Sequence, residues 1–324
     1  MKKQVRLFAP LLPPLALLAS LLVYPSAAAE GARSGLSVCA GVVVPSLFPF
    51  LVLSALLSAQ GLPAALARLL GPPLARLGLP PEAAAPFLLG LCGGYPVGAD
   101  AVARLVRDGT ISPEEGARLL PVCNNTGPGF IIGTAGGAVF GSARVGALLY
   151  LSHVLAACTL ALRPGARAKA RLIPRGALPS PVGADVFPSC VAAAASITLN
   201  LCGYVVFFSV LGALLRGAGV FSALAGAVSV RFGAEMRWCA ALLAGLLELG
   251  GGVAAMRGMP AHPANLALTA FLLGFGGLSV HAQTLAAVSG TNIRCARHFA
   301  GRILHGFLSA GYILLFSALR LPRI

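Results

Sequence analysis

The stretch Phe87–Leu105, FLLGLCGGYPVGADAVARL, starts as an apolar run fit for a membrane and breaks in its middle. Gly93-Gly94-Tyr95-Pro96-Val97-Gly98 interrupts it, and a short helical pattern carrying Asp100 follows. Proline lacks the amide hydrogen that a helix uses, and glycine loosens the backbone. Peptide groups opened inside lipid are tolerated only where protein or a water-filled cavity covers them. The pattern predicts a re-entrant hairpin with a polar tip at membrane depth, where secondary transporters hold solutes and coupling ions. A kinked membrane helix without a ligand is the plainer alternative.

The whole chain has the composition of a polytopic helical membrane protein. It is 57% hydrophobic and only 10% charged, against roughly 25% charged in soluble domains. Strand-like alternation is missing, which argues against a membrane barrel. The net charge of +15 lies in short loops between apolar runs, where it sets topology and attracts anionic lipid. No basic stripe with interleaved aromatics suggests nucleic acid. The eight cysteines form no CxxC and sit mostly in apolar runs, so neither a zinc site nor a disulfide framework is expected. No P-loop, Rossmann fingerprint or HExxH occurs. Ser279 and His281 point apart on a helix and lack an orienting acid, so a serine hydrolase is not expected. The chain reads as no enzyme and needs no cofactor.

Four segments organise the chain. Residues 1–30 are a first membrane helix, Leu7–Tyr24, or a signal-like segment with small residues at Ala27–Ala29. A first repeat covers 31–162. Residues 163–187 are a basic, proline-rich cytoplasmic linker, and a second repeat covers 188–324. The first repeat holds a span at Ser37–Ser58, then an interfacial helix at Pro63–Leu79 broken at Gly71-Pro72-Pro73. The hairpin comes next. A helix then starts at Ser112-Pro113-Glu114-Glu115, with N-cap chemistry, breaks at Cys123–Gly129 and resumes to Phe140; Ala143–Leu162 is a further span. The second repeat offers Pro188–Leu215 with Asn200, a helix at Val220–Phe232, a hairpin at Glu248-Leu249-Gly250-Gly251-Gly252, a helix broken at Gly274–Ser279, and a last span at Ile303–Leu319. Pro45 to Gly94 is 49 residues and Asn200 to Gly251 is 51. If each hairpin returns to its own side, the chain crosses seven times. Most of the 24 basic residues then fall inside, Arg294, Arg297 and Arg302 among them. The two halves are inverted in this arrangement, as alternating access uses; full crossing by both hairpins would give them one orientation.

The polar residues at the breaks are the candidate site. Gly94, Tyr95, Pro96, Asn124, Asn125 and Thr126 come from the first half. Glu248, Gly251, Ser279, His281 and Gln283 come from the second. A carboxylate at membrane depth costs at least ~2.5 kcal/mol, so Glu248 is either a cation or proton coupling group or a hydrogen-bonded residue holding its hairpin. Asp100 could serve a site or pair with Arg104 one turn on. Asn124, Asn125 and Thr126 could bind solute or bridge the tips. Tyr95 could stack on a flat ligand or pack on its tip, and His281 could relay protons or simply pack.

Four motifs carry a family resemblance. VVVPSLFPFLVLS (Val42–Ser54), GGYPVGA (Gly93–Ala99), NNTGPGF (Asn124–Phe130) and LLGFGGLSVHAQ (Leu272–Gln283) make the chain from Gly35 onward resemble the YlbJ family of sporulation integral membrane proteins, within the nucleoside-recognition "gate" domain proteins. The resemblance implies an all-α protein of two inverted gate repeats with a core like that of concentrative nucleoside transporters. It also implies a multi-pass place in the bacterial inner membrane, and transport of a small polar solute or ion during sporulation. A non-transporting scaffold for spore cortex or coat assembly is the alternative. The partners are then the lipid bilayer and the solute, with homo-oligomerisation left open.

Overall fold

The computed structural model describes residues 11–162 and 185–319. The basic linker at 163–184 and the N-terminal lysines lie outside the described residues. Among the described residues all regular structure is helical. Helices α1 (Leu12–Val23) and α2 (Pro25–Val38) meet at Tyr24. A π-turn, Cys39–Val43, leads into α3 (Val44–Ala59). Next come α4 (Leu62–Arg76), α5 (Ala84–Gly93), α6 (Val97–Arg107), α7 (Pro113–Cys123), a π-helix (Gly129–Val139) and α8 (Ala143–Ala161). The second half runs α9 (Val186–Gly217), α10 (Val220–Phe232), α11 (Met236–Leu247), α12 (Leu249–Ala255), α13 (Pro263–Phe275), α14 (Gly277–Ala287) and α15 (Ala296–Ala318).

Among the described residues four helices are long and apolar enough to cross a membrane: α8, α9, the α13–α14 stretch taken as one, and α15. The number rises to six if two bent pairs each count as a span. One is Leu12–Val23 with Pro25–Val43, bent by 101°. The other is Leu47–Ala59 with Leu62–Arg76, bent by 85°. The expected crossing that starts at Ser112 is no single rod. It is an 11-residue α-helix followed, after a break, by an 11-residue π-helix. Eleven α-helical residues reach only ~16 Å, about half the ~30 Å hydrocarbon core.

Local chemistry explains most boundaries. Ser112 accepts from the Glu115 amide at 3.2 Å, and Glu115 accepts from the Ser112 amide at 2.8 Å, a complete capping box with Pro113 at the first position. Pro72 and Pro73 do not end α4, contrary to expectation; the helix runs through them to Arg76. Glu30 lies inside α2, which packs along α9. A Cβ on Gly31 would stand 2.8 Å from the Val210 Cα.

Both hairpins fold back on glycine. A Cβ on Gly90 would lie 3.2 Å from the Cα of Gly98, and one on Gly252 would lie 2.1 Å from the Cα of Gly245. Each pair joins a helix before a break to the helix after it. The first opening is at Gly94, whose φ of 80° favours glycine. The second is at Glu248, in extended conformation, rather than at the triple glycine, which belongs to α12. Each half therefore contains a hairpin, then an interrupted helix, then a helix long enough to span.

Two apolar clusters sandwich a polar layer. One gathers Phe87, Val102, Leu120, Ala157 and Val288; the other gathers Leu149, Val253, Leu272 and Ile313. On α8 the polar pair Ser152 and His153 lies between Leu149 of the second cluster and Ala157 of the first, and on α15 the stretch from His298 to Ser309 precedes Ile313 and Phe316 of the second.

Candidate functional site

The layer is built on one face of α15. His298, Arg302, His305 and Ser309 follow at spacings of four, three and four, which stacks them on one side of a helix. All four are buried, and Arg302 is 0% exposed. The helix can approach α13 closely because small residues meet there: a Cβ on Gly274 would lie 2.5 Å from the Gly306 Cα.

Arg302 is held chiefly by the first half. Its Nη1 donates to the Asn124 carbonyl at 2.9 Å, to Asn125 Oδ1 at 3.4 Å and to the Pro121 carbonyl at 3.5 Å. Its Nη2 donates to the Tyr95 hydroxyl, and its guanidinium carbon stands 5.3 Å from the centre of the Tyr95 ring. The break after Cys123 explains this. A helix that stops leaves its last carbonyls without intrahelical partners and a partial negative charge at its end. α7 stops within the protein, and its open carbonyls face the guanidinium. Among the described residues no carboxylate pairs with Arg302, and its Nε has no partner.

Histidines ring this cation. His305 Nδ1 is 3.0 Å from Arg302 Nη1, and its Nε2 donates to the His153 carbonyl at 3.1 Å. The rings of His153 and His305 lie 4.3 Å apart. His281 meets His298 edge-on at 5.4 Å and packs against Phe275 and Phe299. Among the described residues neither nitrogen of His281 has a hydrogen-bond partner, and Asn124 Oδ1 and the Ser309 hydroxyl are likewise unpaired. Among the described residues no three His, Cys, Asp or Glu side chains converge to hold a metal ion.

The other breaks join the same region. Thr126 donates its hydroxyl to the Leu273 carbonyl at 2.8 Å, and the Tyr95 hydroxyl lies 3.3 Å from that oxygen. The Thr126 amide donates to His153 Nε2 at 3.2 Å, and Asn124 donates to Thr284 Oγ1 at 2.8 Å. Gly94 approaches Gly127, and Gly277 approaches Glu248, so hairpin and interrupted helix touch in each half. Tyr95 reaches across to Gly276. Gln283 donates to Ser279 at 3.2 Å. A cavity of about 170 Å³ opens beside them, walled by Pro96, Asp100, Arg107, Asn200, Tyr204 and Gln283.

The structure thus gathers Tyr95, Asn124, Asn125, Thr126 and His281 about one centre, with Gly94 packed behind it, Pro96 and Gln283 lining the cavity and Ser279 bonded to Gln283. Glu248 and Gly251 stand apart from Arg302. The Glu248 carboxylate accepts from the amides of Gly250 at 2.8 Å and Gly251 at 2.6 Å, capping α12. Asp100 pairs with Arg104 at 2.7 Å.

Arg302 itself corrects the sequence reading, which placed it in a cytoplasmic loop before a span at Ile303. The helix begins at Ala296, so Arg302 sits within it and faces inward. His153, His298 and His305 were also missed. The usable signal was the helical spacing of His298, Arg302 and His305 between apolar residues.

The fold and this layer define a multi-pass helical membrane protein with a polar centre built on interrupted helices. Residues 40–162 match the family model described as Gate, nucleoside recognition. The chain is 29% identical over 328 residues to the sporulation integral membrane protein YlbJ of Bacillus subtilis (strain 168), covering 92% of this chain and 80% of that protein. The resemblance read from the motifs is borne out at both levels. No solved structure matches.

Proposed function

We propose that the chain is a secondary transporter of a small anionic solute, acting in spore formation as its relative's name suggests, with its two halves inverted in the bilayer. The observation that carries this reading is Arg302: fully buried, held by carbonyls, hydroxyl and amide, and unmatched by any described carboxylate. An intramembrane arginine normally faces a partner or a solute path. A buried charge lacking an ionic partner is destabilising by several kcal/mol, and a bound carboxylate or phosphate oxygen would supply that partner. A cavity walled by Pro96, Arg107, Asn200, Tyr204 and Gln283 lies next to the centre along the chain, Pro96 following Tyr95 and Gln283 preceding Thr284, which accepts from Asn124.

The test is binding to purified protein. Inorganic phosphate, succinate and benzoate are titrated against thermal stability, with uridine as the neutral comparison. A ligand at 100 times its Kd stabilises by ~2.7 kcal/mol, a readable rise in Tm. The expected outcome is stabilisation by at least one anion, its loss in Arg302→Gln, and accumulation of that anion in proteoliposomes. Equal stabilisation of wild type and Arg302→Gln, or a response to uridine alone, overturns the anion reading.

A further inference from the structure

We infer that the histidines around Arg302 take up a proton when an anion cancels the arginine's charge, so that solute and proton cross together. This rests on the anion reading above, and its readout is separate. Four of the five histidines in the chain lie in this layer, each no more than 3% exposed. His262, the fifth, is exposed and caps α13.

Hydrogen bonds fix the resting state of two rings. A guanidinium only donates, so His305 Nδ1, 3.0 Å from Arg302, is an acceptor and the ring proton sits on Nε2. His153 Nε2 accepts from the Thr126 amide, which leaves its proton on Nδ1. Both rings are neutral. His281 retains two unpartnered nitrogens, with the His298 ring edge-on to it.

Tyr95 from the hairpin tip, Cys123 from the end of α7 and Cys295 before α15 are titratable groups close by among the described residues, and none of them is a cation. The nearby acids are engaged elsewhere: Asp100 with Arg104, Glu114 with Arg118, and Glu248 with its own helix amides. While Arg302 is uncompensated, a second cation beside it is repelled in a medium of low dielectric. An arriving anion removes that repulsion. The proton then comes from water on the loading side, rides on the His281–His298 pair, and leaves with the solute on the other side.

The experiment follows the ring nitrogens by NMR in full-length protein carrying ¹⁵N-histidine, in lipid nanodiscs, between about pH 5 and 8. His281→Gln and His298→Gln assign the signals. None of the four layer histidines changes charge over this range in the wild type; in Arg302→Gln, and in Arg302→Met as a second neutral filling, the His281–His298 pair gains a titrating ring. The same histidines titrating with and without Arg302 overturn the inference. If neither variant folds, the wild type still decides: a charged His281 or His298 in the resting protein at neutral pH overturns it, and four neutral rings sustain it. No solute is added, so a failed anion screen leaves these spectra unchanged, and an anion that binds while the histidines ignore Arg302 sinks the coupling alone.

Discussion

At the scale of single residues, Arg302 and Glu248 exchange the roles that their positions suggest. An acid within an apolar run before three glycines invites a coupling role. In the folded chain both its oxygens accept amides of the helix that it starts. Caps of this kind contribute about 1 kcal/mol, with a range of roughly 0.5–2. Glu248→Ala should therefore destabilise the protein by about that amount, read as a lower Tm in a thermal melt, and leave the anion-dependent stabilisation intact. Uptake abolished in Glu248→Gln at an unchanged Tm would instead return the coupling role to this carboxylate. Arg302 shows the opposite case: a basic residue at the edge of an apolar run looks like a topology marker, yet apart from His305 its partners are more than 170 positions away in sequence.

At the scale of elements, the first hairpin sets the geometry of the centre by how closely it lets α7 approach. A Cβ on Gly90 would stand 1.6 Å from the Cys123 carbonyl oxygen, and one on Gly98 would stand 1.9 Å from it. Neither fits without moving the end of α7, whose carbonyls hold Arg302. Overpacking of this sort costs about 1–3 kcal/mol. Gly90→Ala should lower Tm accordingly and weaken anion binding with it. Gly41→Ala, where nothing stands within 4 Å of the added carbon, should change neither. A Gly90→Ala protein with unaltered Tm and binding would remove the hairpin from the argument.

At the scale of the whole molecule, the open issue is how the two halves sit in the bilayer. Both contain a hairpin, then an interrupted helix, then a helix long enough to span, and the hairpin touches the interrupted helix in each. The inverted arrangement puts the connection after the first hairpin inside and the connection after the second outside. Asp108→Cys and Arg257→Cys report on these two places, in a chain whose exposed Cys92 is replaced by serine. A membrane-impermeant maleimide added to intact cells should label position 257 at once and position 108 only after permeabilisation. Labelling of both from one side would make the halves parallel and end the alternating-access reading.

What is local or compositional could be read from the residues alone. Apolar run length dictated helices in a membrane, because peptide groups in hydrocarbon need internal partners. Gly94-Tyr95-Pro96 and Asn124–Pro128 dictated breaks, because proline and glycine act on their own backbone. The Ser112 capping box and the Asp100–Arg104 pair span three and four residues, so they too were legible. Tertiary structure alone decided which polar groups meet. It brought Arg302 to the open end of α7 and set His153 from α8 against His305 from α15. These contacts join elements remote in sequence, and their strength depends on burial and on partners that no local pattern encodes.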